Sequence, residues 1–189
     1  MQSGAQRPRD PGGLTGGRWS FRSAGRWFAR LLASYQCWML GGVGCTWGIP
    51  GAIGAKFANP DKTVIGFTGD GGSMYTIQAL WTAAWHNLDV KFVICNNGSY
   101  RLLQVNIEAY WKERQCAAHD YPLCFDLSQP PIHFVGLAEA MGVKGARIEK
   151  PEQIGAALDK ALSHRGPFLL DVVLEGIVRP EMIGMRCGQ

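Results

Sequence analysis

No stretch of this chain approaches the roughly 20 consecutive apolar residues that cross a bilayer as a helix, so a helical membrane span is not expected. Charge is scarce. Asp, Glu, Lys and Arg make up 18% of the residues against 47% hydrophobic, which fits a globular chain rather than a disordered or fibrous one. Cysteine patterning is missing too. Cys37, Cys45, Cys95, Cys116, Cys124 and Cys187 are present, but no two stand as C-x-x-C and none has zinc spacing. None acquires a catalytic role, Cys95 reads as a small buried hydrophobe at a strand end, and the expected setting is reduced and cytoplasmic. Acidic residues are nearly absent from the start: residues 1–30 hold Arg7, Arg9, Arg18, Arg22, Arg26 and Arg30 against Asp10 alone. This stretch accounts for the net charge of +4. The remainder is close to neutral and offers no electrostatic footprint for nucleic acid.

What is there centres on Val64 to Tyr100, VIGFTGDGGSMYTIQALWTAAWHNLDVKFVICNNGSY. A β-branched and aromatic run, Val64 to Thr68, ends in Gly69-Asp70-Gly71-Gly72. A helix is expected from about Met74 to His86, and a second apolar run, Val90 to Cys95, ends in Asn96-Asn97-Gly98. This is strand, helix, strand with a polar turn at each strand's carboxyl end. Parallel strands need a crossover of about a dozen residues, usually a helix. Both turns then fall on one edge of the sheet, where open α/β sheets bind ligands. Asp70 and Asn97 are hard oxygen ligands of the kind that suit magnesium held together with substrate phosphates. Gly71, Gly72 and Ser73 lead into a helix start, whose free N–H groups and positive dipole end favour phosphate. The two turns predict a metal-bridged diphosphate. Read without function, they are tight turns of an ordinary βαβ unit, since Asn-Gly and Asp-Gly are common turn formers.

The frame strand-GDG-helix-strand-NNG at this spacing resembles the motif of thiamine diphosphate-dependent enzymes. The chain is most similar to the pyrophosphate-binding domain of the benzoylformate decarboxylase and acetolactate synthase group, over about Leu40 to Glu175. The resemblance implies an α/β thiamine diphosphate-binding fold, a mostly parallel sheet with helices on both faces. It implies thiamine diphosphate and Mg2+ as cofactors, with Asp70, Asn97 and the Ser99 carbonyl as metal ligands and Tyr100 against the diphosphate. Gly69, Asp70, Gly71, Gly72 and Ser73 form the first cofactor-binding turn. In the Gly-rich segment LGGVGCTWGIP, Val43 supplies a backbone carbonyl to the aminopyrimidine ring. Cys45 falls at the prop for the bent cofactor, where the family has Leu, Ile or Met; Val43 or Trp47 could fill that space instead.

The rest of the chain continues the alternation. Gly48 opens a helix to Ala58, with small residues Gly51, Ala52, Gly54 and Ala55 suggesting close packing. The helix after GDG places Ile77, Leu80, Trp81 and Ala84 on one stripe, so Trp81 and Trp85 read as core or interface residues and His86 as a helix C-terminal cap. Leu102 to Arg114 has mixed helical periodicity, and Tyr110 and Trp111 either shape a substrate pocket or simply pack, packing being favoured. Gln115 to Pro131 is a loop. His133 to Met141 is a helix, Val143 to Ile148 a strand, Pro151 to His164 a helix, and Phe168 to Leu174 a continuous apolar strand of the kind buried in parallel sheets.

Three segments are expected: a basic, Gly/Arg-rich extension without order over residues 1–36, a thiamine diphosphate domain over 37–176, and a loose tail over 177–189. The extension reads as a transit-like peptide, a basic interaction arm or the remnant of a truncated or misread gene start, the last being favoured. In the family the catalytic glutamate comes from a separate pyrimidine-binding domain, usually on a partner subunit, and this chain has room for one domain only. No residue here is therefore assigned as catalytic, and His86, His119, His133 and His164 have surface or core readings. The expected function is cofactor binding as one part of a 2-oxo acid decarboxylase or carboligase, a lyase or transferase. It would work in a homo- or hetero-oligomer with a pyrimidine-binding domain on another chain or missing segment. A non-catalytic cofactor-binding domain is the alternative, and a βαβ ligand-binding protein unrelated to thiamine is a distant third.

Overall fold

The computed structural model describes residues 48–117 and 119–175. The sequence readings for residues 1–47, Val43 and Cys45 among them, and for 176–189 lie outside the described residues. Helix α1 (Gly48–Ala58) leads into strand β1 (Val64–Gly69), a single helical turn α2 (Asp70–Ser73), helix α3 (Ala79–Trp85) and strand β2 (Val90–Asn96). Helix α4 (Arg101–Glu113) follows, then a short 3-10 turn Leu123–Phe125, helix α5 (Phe134–Ala140), strand β3 (Lys144–Ile148), helix α6 (Gln153–Ser163) and strand β4 (Phe168–Val173). Every strand of the sequence reading is found within two residues at each end.

The four strands form one parallel sheet in the order β1-β2-β4-β3. β1 meets β2 with Val64 opposite Val90 and Gly69 opposite Cys95, so the GDG and NNG turns leave the sheet together. One face packs Phe92, Ile94 and Leu169 under α1, α3 and α5. The other packs Val93, Leu170 and Val172 under α6. The chain runs outward from β1 to β3 and then back to β4. Parallel crossovers keep one hand, so the returning helix α6 must lie on the opposite face.

Glycine sets how close α1 approaches the sheet. A Cβ on Gly66 of β1 would sit 2.5 Å from the Ala52 Cβ of α1, and one on Gly48 would sit 2.7 Å from the Thr68 Cβ. The expected close packing of small residues is therefore real at Ala52. It fails at Gly54, which is exposed and whose added Cβ would meet nothing within 4 Å.

The helix expected over Met74–His86 is broken. Met74 to Gln78 is a run of turns closed by three-residue steps, among them Thr76 N to Ser73 O (3.1 Å), Ala79 N to Thr76 O (2.9 Å) and Trp81 N to Gln78 O (3.1 Å). The β-branched pair Thr76-Ile77 has modest helix propensity. The Ser73 hydroxyl donates to the Asp70 carbonyl at 2.7 Å, which also keeps its helical bond from the Met74 N–H at 3.3 Å. The buried stripe becomes Ile77, Leu80 and Ala83. Trp81 and Trp85 lie off it, 55% and 71% exposed, with ring centroids 5.1 Å apart. Neither is a core residue of this chain. His86 does stand at the C-terminal cap of α3, its ring edge-on to Phe57.

Candidate functional site

The site is built where β1 and β2 end. β1 stops at Gly69 in extended backbone, and Asp70 begins α2 with no side chain capping the turn. Asp70 is buried. Its Oδ1 accepts the Gly71 N–H at 2.8 Å, and its Oδ2 accepts the N–H groups of Asn97 (3.0 Å) and Gly98 (2.7 Å). One carboxylate thus joins two turns 27 positions apart in sequence. Burial pushes the Asp70 carboxyl up, and the N–H groups of Gly71, Gly98, Asn97 and Ser99 pull it part of the way back. The net direction is upward. Desolvation, with Asp70's charge nearby, pushes the half-buried Cys95 thiol up to about 12, which disfavours the reactive thiolate at the end of β2.

Asn97 closes its own turn: its Oδ1 accepts the Ser99 N–H at 2.9 Å and the Ser99 hydroxyl at 3.0 Å. Gly98 has φ of +68°, a left-handed conformation that favours glycine. The turn is then tied to the loop after α4. Tyr100 N–H donates to the Phe125 carbonyl, and Leu127 N–H donates to the Gly98 carbonyl, both at 2.9 Å. Ser99 and Asp126 form an isolated antiparallel bridge. The sequence assigns no role to this loop, and no local motif announces one.

The Tyr100 ring lies over Gly71. A Cβ there would come within 2.3 Å of the ring's Cε1, so glycine at 71 admits the tyrosine. Gly72 and Ser73 follow in the same turn, Ser73 buried with its hydroxyl on the Asp70 carbonyl. Because α2 is only four residues long, its dipole is that of one turn rather than of the long helix the sequence suggests. A phosphate here would rest on individual N–H groups. The structure therefore brings Gly69, Asp70, Gly71, Gly72, Ser73, Asn97, Ser99 and Tyr100 to one edge.

The donor chemistry fits a hard cation. Asp70 offers carboxylate oxygens, Asn97 an amide oxygen and Ser99 a backbone carbonyl, the oxygen set that magnesium prefers. For Asn97 to take part, the Ser99 hydroxyl would have to turn away from Oδ1. Among the described residues no three His, Cys, Asp or Glu side chains gather as a metal cage. A divalent ion held by one carboxylate needs further oxygens from its ligand, and a diphosphate supplies them.

Sequence reasoning missed a second polar group at this edge. Asp171 is fully buried in β4, inside a run read as continuously apolar. Its Oδ1 accepts from Asn96 Nδ2 at 2.9 Å and its Oδ2 from Arg147 Nη1 at 2.6 Å. Burial pushes its carboxyl up, and those two partners pull against the shift. The signal was legible: a lone Asp in Phe168–Val173 has to be paired.

The chain matches the family described as "Thiamine pyrophosphate enzyme, C-terminal TPP binding domain" over residues 23–172. It is 40% identical over 132 residues to the IlvX protein of Mycobacterium tuberculosis, which is named for an acetolactate synthase large subunit. That match covers 70% of this chain and 25% of the relative. Benzoylformate decarboxylase of Pseudomonas aeruginosa is 34% identical over 148 residues, covering 78% of this chain and 26% of that enzyme. Among solved structures, the thiamine diphosphate-dependent 4-hydroxybenzoylformate decarboxylase of Rhodococcus jostii RHA1 superposes with a TM-score of 0.59 at 37% identity, covering 68% of this chain and 23% of that one. The chain spans about a quarter of the length of these relatives. It belongs to the thiamine pyrophosphate enzyme family, and what it matches there is the C-terminal TPP-binding domain.

Proposed function

We propose that this chain binds thiamine diphosphate through magnesium at the carboxyl edge of its sheet. The metal would be held by Asp70, Asn97 and the Ser99 carbonyl, and the diphosphate by the Gly71-Gly72-Ser73 turn beside Tyr100, the Gly71 N–H itself being held by Asp70 Oδ1. The observation that supports this reading is the Asp70 carboxylate, buried and fixed by N–H groups from both turns. Val43 and Cys45 are proposed for the aminopyrimidine ring on the family resemblance alone.

When bound, the cofactor supplies a nucleophilic carbon and an electron sink for the decarboxylation or condensation of 2-oxo acids. The chain's own contribution is to anchor and orient it. The domain pattern is proposed as a binding unit over residues 37–176. It would complete an active site with a pyrimidine-binding domain carried on another chain or segment. Residues 1–36 and 177–189 stand outside this unit.

Calorimetry on the 189-residue chain tests the binding. Thiamine diphosphate should bind with magnesium present and lose its heat when the metal is chelated. Binding that ignores the chelator would overturn the metal-bridged reading. These 189 residues by themselves should turn over benzoylformate or pyruvate negligibly. Measured turnover would show that the proposed division of the active site is wrong.

A further inference from the structure

A file of polar side chains crosses the sheet next to the proposed site. It starts on the edge strand β3, where Arg147 Nε donates to Glu149 Oε1 at 3.0 Å. Arg147 Nη1 donates to Asp171 on β4, and Asp171 accepts from Asn96 on β2. The register pairs Arg147 and Ile94 with Asp171, and Asn96 is two residues past Ile94, so all of these lie on one face. Asn96 is held twice, because its carbonyl also accepts the Leu174 N–H at 2.7 Å. The next residue is Asn97, whose N–H reaches Asp70. The chain of bonds therefore runs from β3 through β4 and β2 to the end of β1.

Burying a carboxylate mid-strand is costly, and an apolar residue of similar volume is often as stable or more so. The Asp171 charge calls for a role that packing does not supply. We infer that Asp171 is a positioning residue: by holding the Asn96 amide it fixes where β2 ends, and so aims the Asn97 and Gly98 N–H groups at Asp70. The link to cofactor affinity rests on the reading given under Proposed function, while the effect on the turn does not.

The test uses the full chain with Asp171→Leu, Asn96→Ala and the exchanged pair Asn96→Asp/Asp171→Asn. Asn96→Ala leaves the Arg147–Asp171 pair intact, so it carries the test alone if Asp171→Leu does not fold. Amide hydrogen exchange without ligand is the first readout. Exchange at Asn97 and Gly98 should quicken in both single variants relative to Val93 within β2, whereas a purely structural loss would quicken all three together. Calorimetry with thiamine diphosphate and magnesium is the second, and affinity should fall about tenfold, as for other partners behind a metal ligand. The exchanged pair restores donor to acceptor and should recover both readouts. Wild-type exchange ratios in the single variants, or no recovery in the exchanged pair, would overturn the inference. A wild-type chain that binds no thiamine diphosphate, with the exchange pattern as described, would defeat the proposed function and leave the positioning of the turn standing.

Discussion

The two edges of the sheet each bury a charge, and they treat it differently. At the amino edge, the Lys91 ammonium donates to Asp89 Oδ1 at 2.5 Å, to the His164 carbonyl at 2.7 Å and to the Gly166 carbonyl at 2.8 Å. An ammonium has three donors, and all three are spent on joining the start of β2 to the approach to β4. At the carboxyl edge, Asp70 collects backbone N–H groups from two turns, with the Asn97 and Ser99 oxygens nearby. The first arrangement is a closed pin. The second spends its N–H groups on Asp70 but gathers hard oxygens, those of Asp70, Asn97 and Ser99, at the mouth of the sheet. Burial of charge alone does not mark a functional site; what distinguishes the two edges is whether the surrounding groups could serve a further ligand.

That contrast can be broken from either side. The largest expected effect is Asp70→Ala, which should weaken magnesium-dependent thiamine diphosphate binding by more than about 100-fold, beyond what groups behind a ligand usually cost. Its effect on stability should be about 1–2 kcal/mol, because relief from burying a carboxylate offsets part of the lost N–H bonds and water at the sheet's mouth can reach the part-buried Asn97 and Gly98 N–H groups. Titration calorimetry and urea unfolding read the two quantities. Lys91→Met should do the reverse. It leaves the His164 and Gly166 carbonyls without their donor and should cost about 3 kcal/mol in urea unfolding, with affinity unchanged in the folded chain. Gly66→Val lies between the edges and drives a side chain into Ala52 of α1, which should cost about 2 kcal/mol by overpacking. Gly54→Ala is the smallest: with nothing within 4 Å of the new methyl, thermal unfolding should show a gain of about 0.8 kcal/mol from helix propensity.

The strands and the juxtaposition of Asp70 with Asn97 were legible because they follow from local pattern plus one topological rule. Apolar runs ended in glycine turns, and parallel pairing placed both turns on one edge. Three things were not legible, each for a physical reason. The break at Met74–Gln78 replaces four-residue bonds by three-residue ones, a choice that periodicity does not weigh. Trp81 and Trp85 are exposed because α3 turns Leu80 and Ala83 to the core, a choice among neighbouring positions that periodicity alone does not make. The loop holding Tyr100 and Gly98 is set by pairing between residues about 25 apart, such as Tyr100 with Phe125, and no local period encodes it. Asp171 and Lys91 are a different case. Both were visible as charges inside apolar runs, and apart from Asp89, two residues before Lys91, their partners came from neighbouring strands or loops that only the fold identifies.

The central claim is that ligand chemistry belongs to the carboxyl edge. It is tested most directly by following backbone amide resonances of the full chain as thiamine diphosphate and magnesium are added together. Shifts are expected at Gly71, Gly72, Asn97 and Gly98, with Lys91, His164 and Gly166 at the far edge unmoved. Shifts confined to the Lys91 edge, or spread equally over both edges, would contradict it.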